Sequence, residues 1–303
     1  MVHYLTPREV LLQLQEELEG TYRAVKDKYV YRFVPLSSLL LSNEHRDELF
    51  MQRVDLWNDP FEKKALIAQY RSLDGKPFVH PLADSVYGTC FTECYNSEVQ
   101  WQYYGKGQNE PIVSLAFKLS KLLDALESAT DQHFFVGKVG YFLQEDINRT
   151  IALHVNQHIT TFMKDKDADF TPQEYAELLM PLLIKRIPFS YEREIRIMKV
   201  ERGGLKRIHV PISGFLRLIG KITVHHVCPN LEGTQDEIKD KLIDSGFDAK
   251  LISKSCLYDE QKNPSVIDIN PTFTPLKNFQ FFIMQICHLL YCKRSDKALF
   301  YIA

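Results

Sequence analysis

Ser190-Tyr191-Glu192-Arg193-Glu194-Ile195-Arg196-Ile197-Met198 alternates with a period of two, and Glu194 to Val200 reads as a β-strand. The alternation sets Glu192, Glu194 and Arg196 on one face and Ile195 and Ile197 on the other. One face is then ready for a core, while the other brings two carboxylates and a guanidinium to a shared surface. Same-face neighbours on a strand lie ~6.5–7 Å apart, which lets two acids take different roles at one sugar centre. Carboxylates suit chemistry that passes through a cationic, oxocarbenium-like sugar, because fixed negative charge stabilises the developing cation. A salt-bridged exposed strand accounts for the same residues at least as well.

Further strand-type runs cover Tyr29 to Phe33, Glu48 to Val54, Val86 to Thr92, Ile112 to Phe117, Phe134 to Phe142, Lys221 to Val227 and Ala249 to Ser253. Helix starts fall between and around them. Thr6-Pro7-Arg8-Glu9 precedes Val10, Leu11, Leu14 and Leu18 at helical spacing, and Thr171-Pro172-Gln173-Glu174 precedes Tyr175, Leu178 and Leu179. Asn58-Asp59-Pro60-Phe61-Glu62, with Asp59 as cap, and Ser97-Glu98-Val99-Gln100 repeat the device, and Leu231 to Ser245 reads as an acidic, exposed helix. Strands and helices do not alternate regularly. The expected fold is therefore α+β, with a mixed, mostly antiparallel central sheet and flanking helices. Prolines at 264, 271 and 275 mark Gln261 to Leu276 as linker-like, and Lys277 to Tyr291 is open between helix and strand.

The 303 residues carry 45% hydrophobic and 25% charged side chains and a net charge of −2, the balance of a globular protein without a whole-molecule pull towards nucleic acid or membrane. No basic and apolar leader opens the chain, so a cytoplasmic location is expected. The longest apolar run, Phe279 to Cys292, is shorter than the ~20 residues a membrane helix needs. Six cysteines are too few for a disulfide scaffold and form no paired zinc signature, so they read as reduced, mostly buried thiols. Glycine-rich phosphate loops, H-E-x-x-H and G-x-S-x-G are missing. His225 and His226 point to opposite faces of a strand; His154 and His158, at i and i+4, suit a solvated helix face better than a metal, and no metal is expected.

Arg32 stands alone among aromatics in Tyr29-Val30-Tyr31-Arg32-Phe33, with Tyr31 and Phe33 on the opposite face. A phosphate clamp and an ion pair with one of the glutamates explain it evenly. Capping accounts for Asp59, Pro60 and Glu62 and leaves Asn58 as the ligand candidate. Cys90-Phe91-Thr92 is followed by Trp101 and Tyr104 on one helix face, an arrangement that can sandwich a flat heteroaromatic ring but more commonly belongs to a core.

Tyr-Arg-Phe, Asn-Asp-Pro-Phe-Glu, Cys-Phe-Thr with Trp-x-x-Tyr, and Tyr-Glu-x-Glu-x-Arg occur here in the order seen in a bacterial domain family of uncharacterised function. That family, found in defence and toxin loci, resembles a divergent branch of the ADP-ribosyltransferase superfamily. The likeness runs from Tyr29 to Val200. It implies NAD as substrate, with Arg32 on its phosphates or ribose and Thr92 shaping the nicotinamide pocket, while Tyr31, Asn58, Trp101 and Tyr104 are the further candidates for binding NAD. Glu194 would hold the nicotinamide ribose 2′-hydroxyl and stabilise the oxocarbenium ion, and Glu192 would orient or deprotonate the acceptor. The Ser-Thr-Ser pattern of the superfamily is reduced here to Thr92 and Glu93.

On this reading residues 1–28 are an N-terminal helix, 29–229 the catalytic domain and 230–303 a C-terminal extension that binds a partner. The resemblance further suggests the toxin of a toxin–antitoxin–chaperone module acting in phage defence on RNA. Lys185 to Arg207 holds eight basic against three acidic side chains, which would draw phosphates, with Arg196 and Lys199 as substrate-binding residues. A solvated basic edge explains those charges as well. An NAD glycohydrolase and a non-catalytic nucleic-acid or protein interaction module are the alternatives.

Overall fold

The computed structural model describes residues 28–40, 47–72, 74–105, 111–129, 134–225 and 235–257. The expected first helix, His226, Cys228, Cys287, Cys292, the proline-marked linker and the run from 277 to 291 lie outside the described residues. The chain divides into two units, Met1–Leu257 and Tyr258–Ala303, and every described residue belongs to the first.

Strand β1 (Tyr29–Pro35) leads through helix α1 (Ser37–Leu40) to β2 (Glu48–Arg53). Helix α2 (Lys64–Ile67) and the hairpin β3 (Gln69–Arg71) and β4 (Pro77–Val79) precede β5 (Val86–Thr92). Helix α3 (Glu98–Gly105), β6 (Ile112–Lys118), α4 (Leu119–Glu127), β7 (Phe134–Lys138) and β8 (Gly140–Phe142) follow. Next come helices α5 (Gln144–Gln157), α6 (Ile159–Phe162) and α7 (Pro172–Leu179), then β9 (Ile184–Arg186) and β10 (Glu194–Val200). Strands β11 (Arg207–Pro211) and β12 (Ile219–Val224), helix α8 (Gln235–Asp244) and β13 (Ile252–Lys254) complete the unit.

The fold is α+β. Nine strands form the central sheet, and its pairs are antiparallel except β12 with β13. Its geometry turns on β5, which pairs with β10 along its whole length on one edge. Its other edge is shared: β2 meets it at Tyr87 and Gly88, while β1 meets it through Tyr31 opposite Thr92. From this fork β1 continues to β6, β12 and β13, and β2 to β11. The sheet thus parts between β1 and β2, and Arg32 bridges the gap by donating from Nη2 to the Phe50 carbonyl at 3.3 Å.

Both faces of the sheet are covered, so β5 and β10 are buried on either side. Ile195 and Ile197 enter one core with Val30, Phe91 and Phe117, under helix α4. Met198 enters the other with Val54, Ile147, Leu178 and Phe162, under α5 to α7. The period of two in β10 therefore holds, with Glu194 and Arg196 on the Met198 side. The Thr171 capping box also forms as expected, its hydroxyl and the Glu174 carboxylate satisfying each other's backbone amides.

Several expectations are corrected. Glu192 is not on the strand: Ile187–Glu192 is a 3-10 turn, and Arg193 has a left-handed φ of 43°. Pro188 explains the break, because it lacks the N–H a ladder needs and suits the first turn of a helix. Phe134 to Phe142 is two strands, β7 against β10 and β8 parallel to β9. Asp59 does not cap a helix; its Oδ1 accepts from the Phe61 amide in a turn, and α2 begins only at Lys64. Residues 235–254, read as the start of an extension, add α8 and the sheet strand β13 to this unit. Cys90 and Cys94 are half-buried and Cys256 is exposed, against the expectation of mostly buried thiols. His154 and His158 do not face solvent freely but pack together, His154 Nε2 lying 2.7 Å from the Glu177 carbonyl and His158 Nδ1 3.4 Å from its carboxylate. Among the described residues no helix is long and apolar enough to cross a membrane.

Candidate active site

The register of three strands builds the site. Tyr31 of β1 lies opposite Thr92 of β5, which lies opposite Glu194 of β10, so the three stand abreast across the sheet. Beyond Tyr31 and Thr92 the strands β1 and β5 diverge, and an open cleft lies there. Arg32 and Phe33 line it from β1, Cys90 and Phe91 from β5, Gln100 and Tyr104 from α3, and Glu192 from the turn before β10.

Behind Glu194 lies a buried ring of alternating charge. Arg196 Nη2 bonds Glu62 Oε2 at 2.7 Å and Glu194 Oε2 at 3.1 Å, and its Nε bonds Glu194 Oε1 at 3.2 Å. Lys185 Nζ closes the ring, 2.8 Å from Glu62, 3.2 Å from Glu194 and 2.5 Å from Glu192. Arg196 is 0% exposed, its guanidinium against the Trp57 ring. Its Nη1 also donates to the Leu182 carbonyl. Buried charges of this kind are tolerated only when paired and hydrogen-bonded, and every member here is.

The ring separates the two acids. Burial alone would lift the Glu194 carboxyl, but Arg196 and Lys185 hold it down to about 2, so it is ionised at any physiological pH. Burial lifts Glu192 above the ordinary carboxylate value despite the pull of Lys185. Two neighbouring carboxyl groups with environments that push them apart are the arrangement that divides an anionic role from a proton-exchanging one. Thr92 anchors Glu192: its hydroxyl donates to the Glu192 carbonyl and accepts from the Cys94 amide at 3.0 Å. Glu194 itself is fixed through its amide, which donates to the Tyr141 hydroxyl at 3.0 Å.

Arg32 is the cation of the cleft. Among the described residues no carboxylate pairs with it; its guanidinium lies 5.8 Å from the Phe91 ring, and burial lowers its pKa without a carboxylate to offset it. Tyr104 stacks on Phe33 with ring centroids 5.9 Å apart, leaving an aromatic wall on the cleft. Burial, followed by Cys90 and the two glutamates, raises its phenol above the usual tyrosine range.

Of the expected site residues the cleft brings together Tyr31, Arg32, Thr92, Tyr104, Glu192 and Glu194. Trp101 is core: its indole donates to Asn96 Oδ1 at 2.9 Å and its ring packs against Phe33 and His225. Asn58 is exposed and outside the cleft lining. Arg196 is sealed in the ring, and Lys199 pairs with Glu201, so neither meets a substrate in the cleft. Six of the eight basic side chains of Lys185 to Arg207 are likewise paired with a carboxylate: Lys185, Arg186, Arg193, Arg196, Lys199 and Arg202. Glu62 and Lys185 are the site residues that sequence reasoning missed, Glu62 because capping explained it and Lys185 because it was counted with surface charge. A signal existed for Lys185, which sits in the apolar run Leu182-Leu183-Ile184-Lys185. Among the described residues no group of three or more histidines, cysteines or carboxylates could hold a metal.

Residues 100–197 match a family described as "Protein of unknown function (DUF2971)", a stretch that contains Tyr104, Glu192, Glu194 and Arg196. In structure the chain is similar to Thermus sp. 2.9 DarT in complex with carba-NAD+, at 11% identity over 73% of this chain and 89% of that chain, with a TM-score of 0.28. No curated protein matches.

Proposed function

We propose that this protein is an ADP-ribosyltransferase that cleaves NAD at the nicotinamide ribose. The observation that supports this is one cleft in which an ionised, rigidly held carboxylate, Glu194, stands abreast of Thr92 and Tyr31 while Arg32 offers a guanidinium without a described carboxylate partner. A planar, desolvated guanidinium suits a phosphate bidentately. The wall of Phe33 and Tyr104 suits the flat nicotinamide ring. As nicotinamide leaves, positive charge develops on the ribose, and Glu194, already ionised and oriented, stabilises it without reorganisation. Glu192, lifted by burial, takes the proton of the attacking hydroxyl.

The acceptor and the setting belong to the same proposal: RNA as acceptor, and a phage-defence toxin held by an antitoxin and chaperone. RNA rests on the family resemblance rather than on a basic surface. The test incubates purified protein with adenine-labelled NAD and total cellular RNA or protein, beside Glu194→Gln. Label transferred by wild type and reduced at least about 100-fold in the variant is the expected result. Free labelled ADP-ribose alone would make it an NAD glycohydrolase, and intact NAD in every tube would leave the interaction-module reading standing. As a toxin, the wild type should arrest growth on expression and Glu194→Gln should not.

A further inference from the structure

We propose that Glu62 is a positioning residue of this site: its carboxylate, set between the Arg196 guanidinium and the Lys185 ammonium, leaves the Glu192 and Glu194 pair with one uncompensated negative charge facing the cleft. This rests on the reading of the cleft as an NAD site. Three carboxylates and two cations make the cluster, so its net charge is −1. Without Glu62 the two cations would match the two cleft carboxylates and the cluster would be neutral. Glu62 does not line the cleft. It acts from behind, 2.7 Å from Arg196 and 2.8 Å from Lys185, both of which also hold Glu194.

The side chains of the cluster are between 0% and 14% exposed, so water screens a unit charge weakly and its removal is felt at the cleft. The turn from Asn58 to Glu62 places this contact: Asp59 closes it through the Phe61 amide, and Glu62 points inward instead of capping α2. Two separated motifs thereby form one electrostatic unit, the acid of Asn-Asp-Pro-Phe-Glu neutralising the arginine of Glu-x-Glu-x-Arg.

Cys90 reports the charge independently of turnover. It lies opposite Arg196 in the β5–β10 register and lines the cleft. Burial, then Glu194 and, less strongly, Glu62 raise its thiol well above the ordinary value. The thiolate is the reactive form, so a loss of negative charge behind it speeds alkylation. Wild type, Glu62→Gln, Lys185→Met and the double variant are compared for iodoacetamide labelling of the Cys90 peptide and for NAD turnover. Labelling should rise about threefold or more in Glu62→Gln, fall in Lys185→Met and return close to wild type in the double variant. The kcat of Glu62→Gln should fall about tenfold or more with KM nearly unchanged, as expected for charge that acts on the transition state. If Glu62→Gln does not fold, the double variant against Lys185→Met makes the same single-charge step and must label faster. Labelling that is unchanged or slower on removing the Glu62 charge overturns the proposal, as does a wild-type kcat in Glu62→Gln. Absence of NAD turnover by the wild type sinks the NAD reading alone, because the Cys90 rates decide the charge assignment without it.

Discussion

Arg32 carries a charge that no described carboxylate answers, and this separates its contribution to binding from its contribution to stability. A desolvated cation without a carboxylate partner costs the folded state free energy. Arg32→Met is therefore expected to leave the melting temperature unchanged or higher while raising the KM for NAD about tenfold or more, from loss of a charge-assisted phosphate contact. A lowered melting temperature with unchanged KM would make Arg32 a structural bridge to Phe50. Arg196 stands in contrast. Both arginines sit in strands among apolar neighbours, and both read from sequence as candidates for ligand contact. Only the partners supplied by Glu62 and Glu194 make one structural and leave the other open to the cleft.

At the scale of elements, β5 and β10 decide what the neighbouring loops can do. Gly88 of β5 permits the close approach of Trp57, since a Cβ there would lie 2.7 Å from Trp57 Cζ2. Trp57 in turn covers the Arg196 guanidinium. Gly88→Ala is expected to destabilise by about 1–3 kcal/mol through displacement of that ring, read as a lower thermal midpoint. It should also lower activity, because the ring of charges loses its cover; an unchanged melting curve would mean that the indole shifts freely. Strand limits were legible here because alternation and β-branching agree: Val86 to Thr92 and Glu194 to Val200 are matched without change, and most others to within a residue or two. The stretch before β10 was not, because Pro188 and the left-handed Arg193 break the very alternation that Glu192 continues in sequence. Asn58 to Glu62 misled for a related reason. Its residues suit a helix start, and a tertiary partner for Glu62 overrode that local preference.

For the whole molecule, two buried groups contribute to the response to acid. His80 is 1% exposed; its Nδ1 accepts from the Leu82 amide, its Nε2 meets the Leu178 carbonyl, and burial lowers its pKa to about 4. The unfolded histidine, near 6.5, takes up a proton first, so stability is complete above about pH 6.5 and declines towards pH 4, by about 3 kcal/mol. Glu194, held at about 2, stabilises fully above its ordinary value of 4.5 and loses that stabilisation as pH falls through about 2. Urea titrations between pH 7 and 4 should show the first decline, and His80→Gln, though less stable at pH 7, should show a smaller one, the rest belonging to groups such as His154, which burial also lowers. A decline of equal size in His80→Gln would assign it to other groups.

The amino-acid order by itself determined the class of fold and most of the central strands, because hydrophobic alternation and capping are local and act through neighbours in the chain. Only the tertiary structure decided which charges face the cleft and which are sealed behind it. Tyr31, Thr92 and Glu194 are brought abreast by inter-strand register, and Glu62, Lys185 and Arg196 by a buried ring. Pairing of that kind is set by distance in space, where desolvated charges must find partners whatever their separation along the chain.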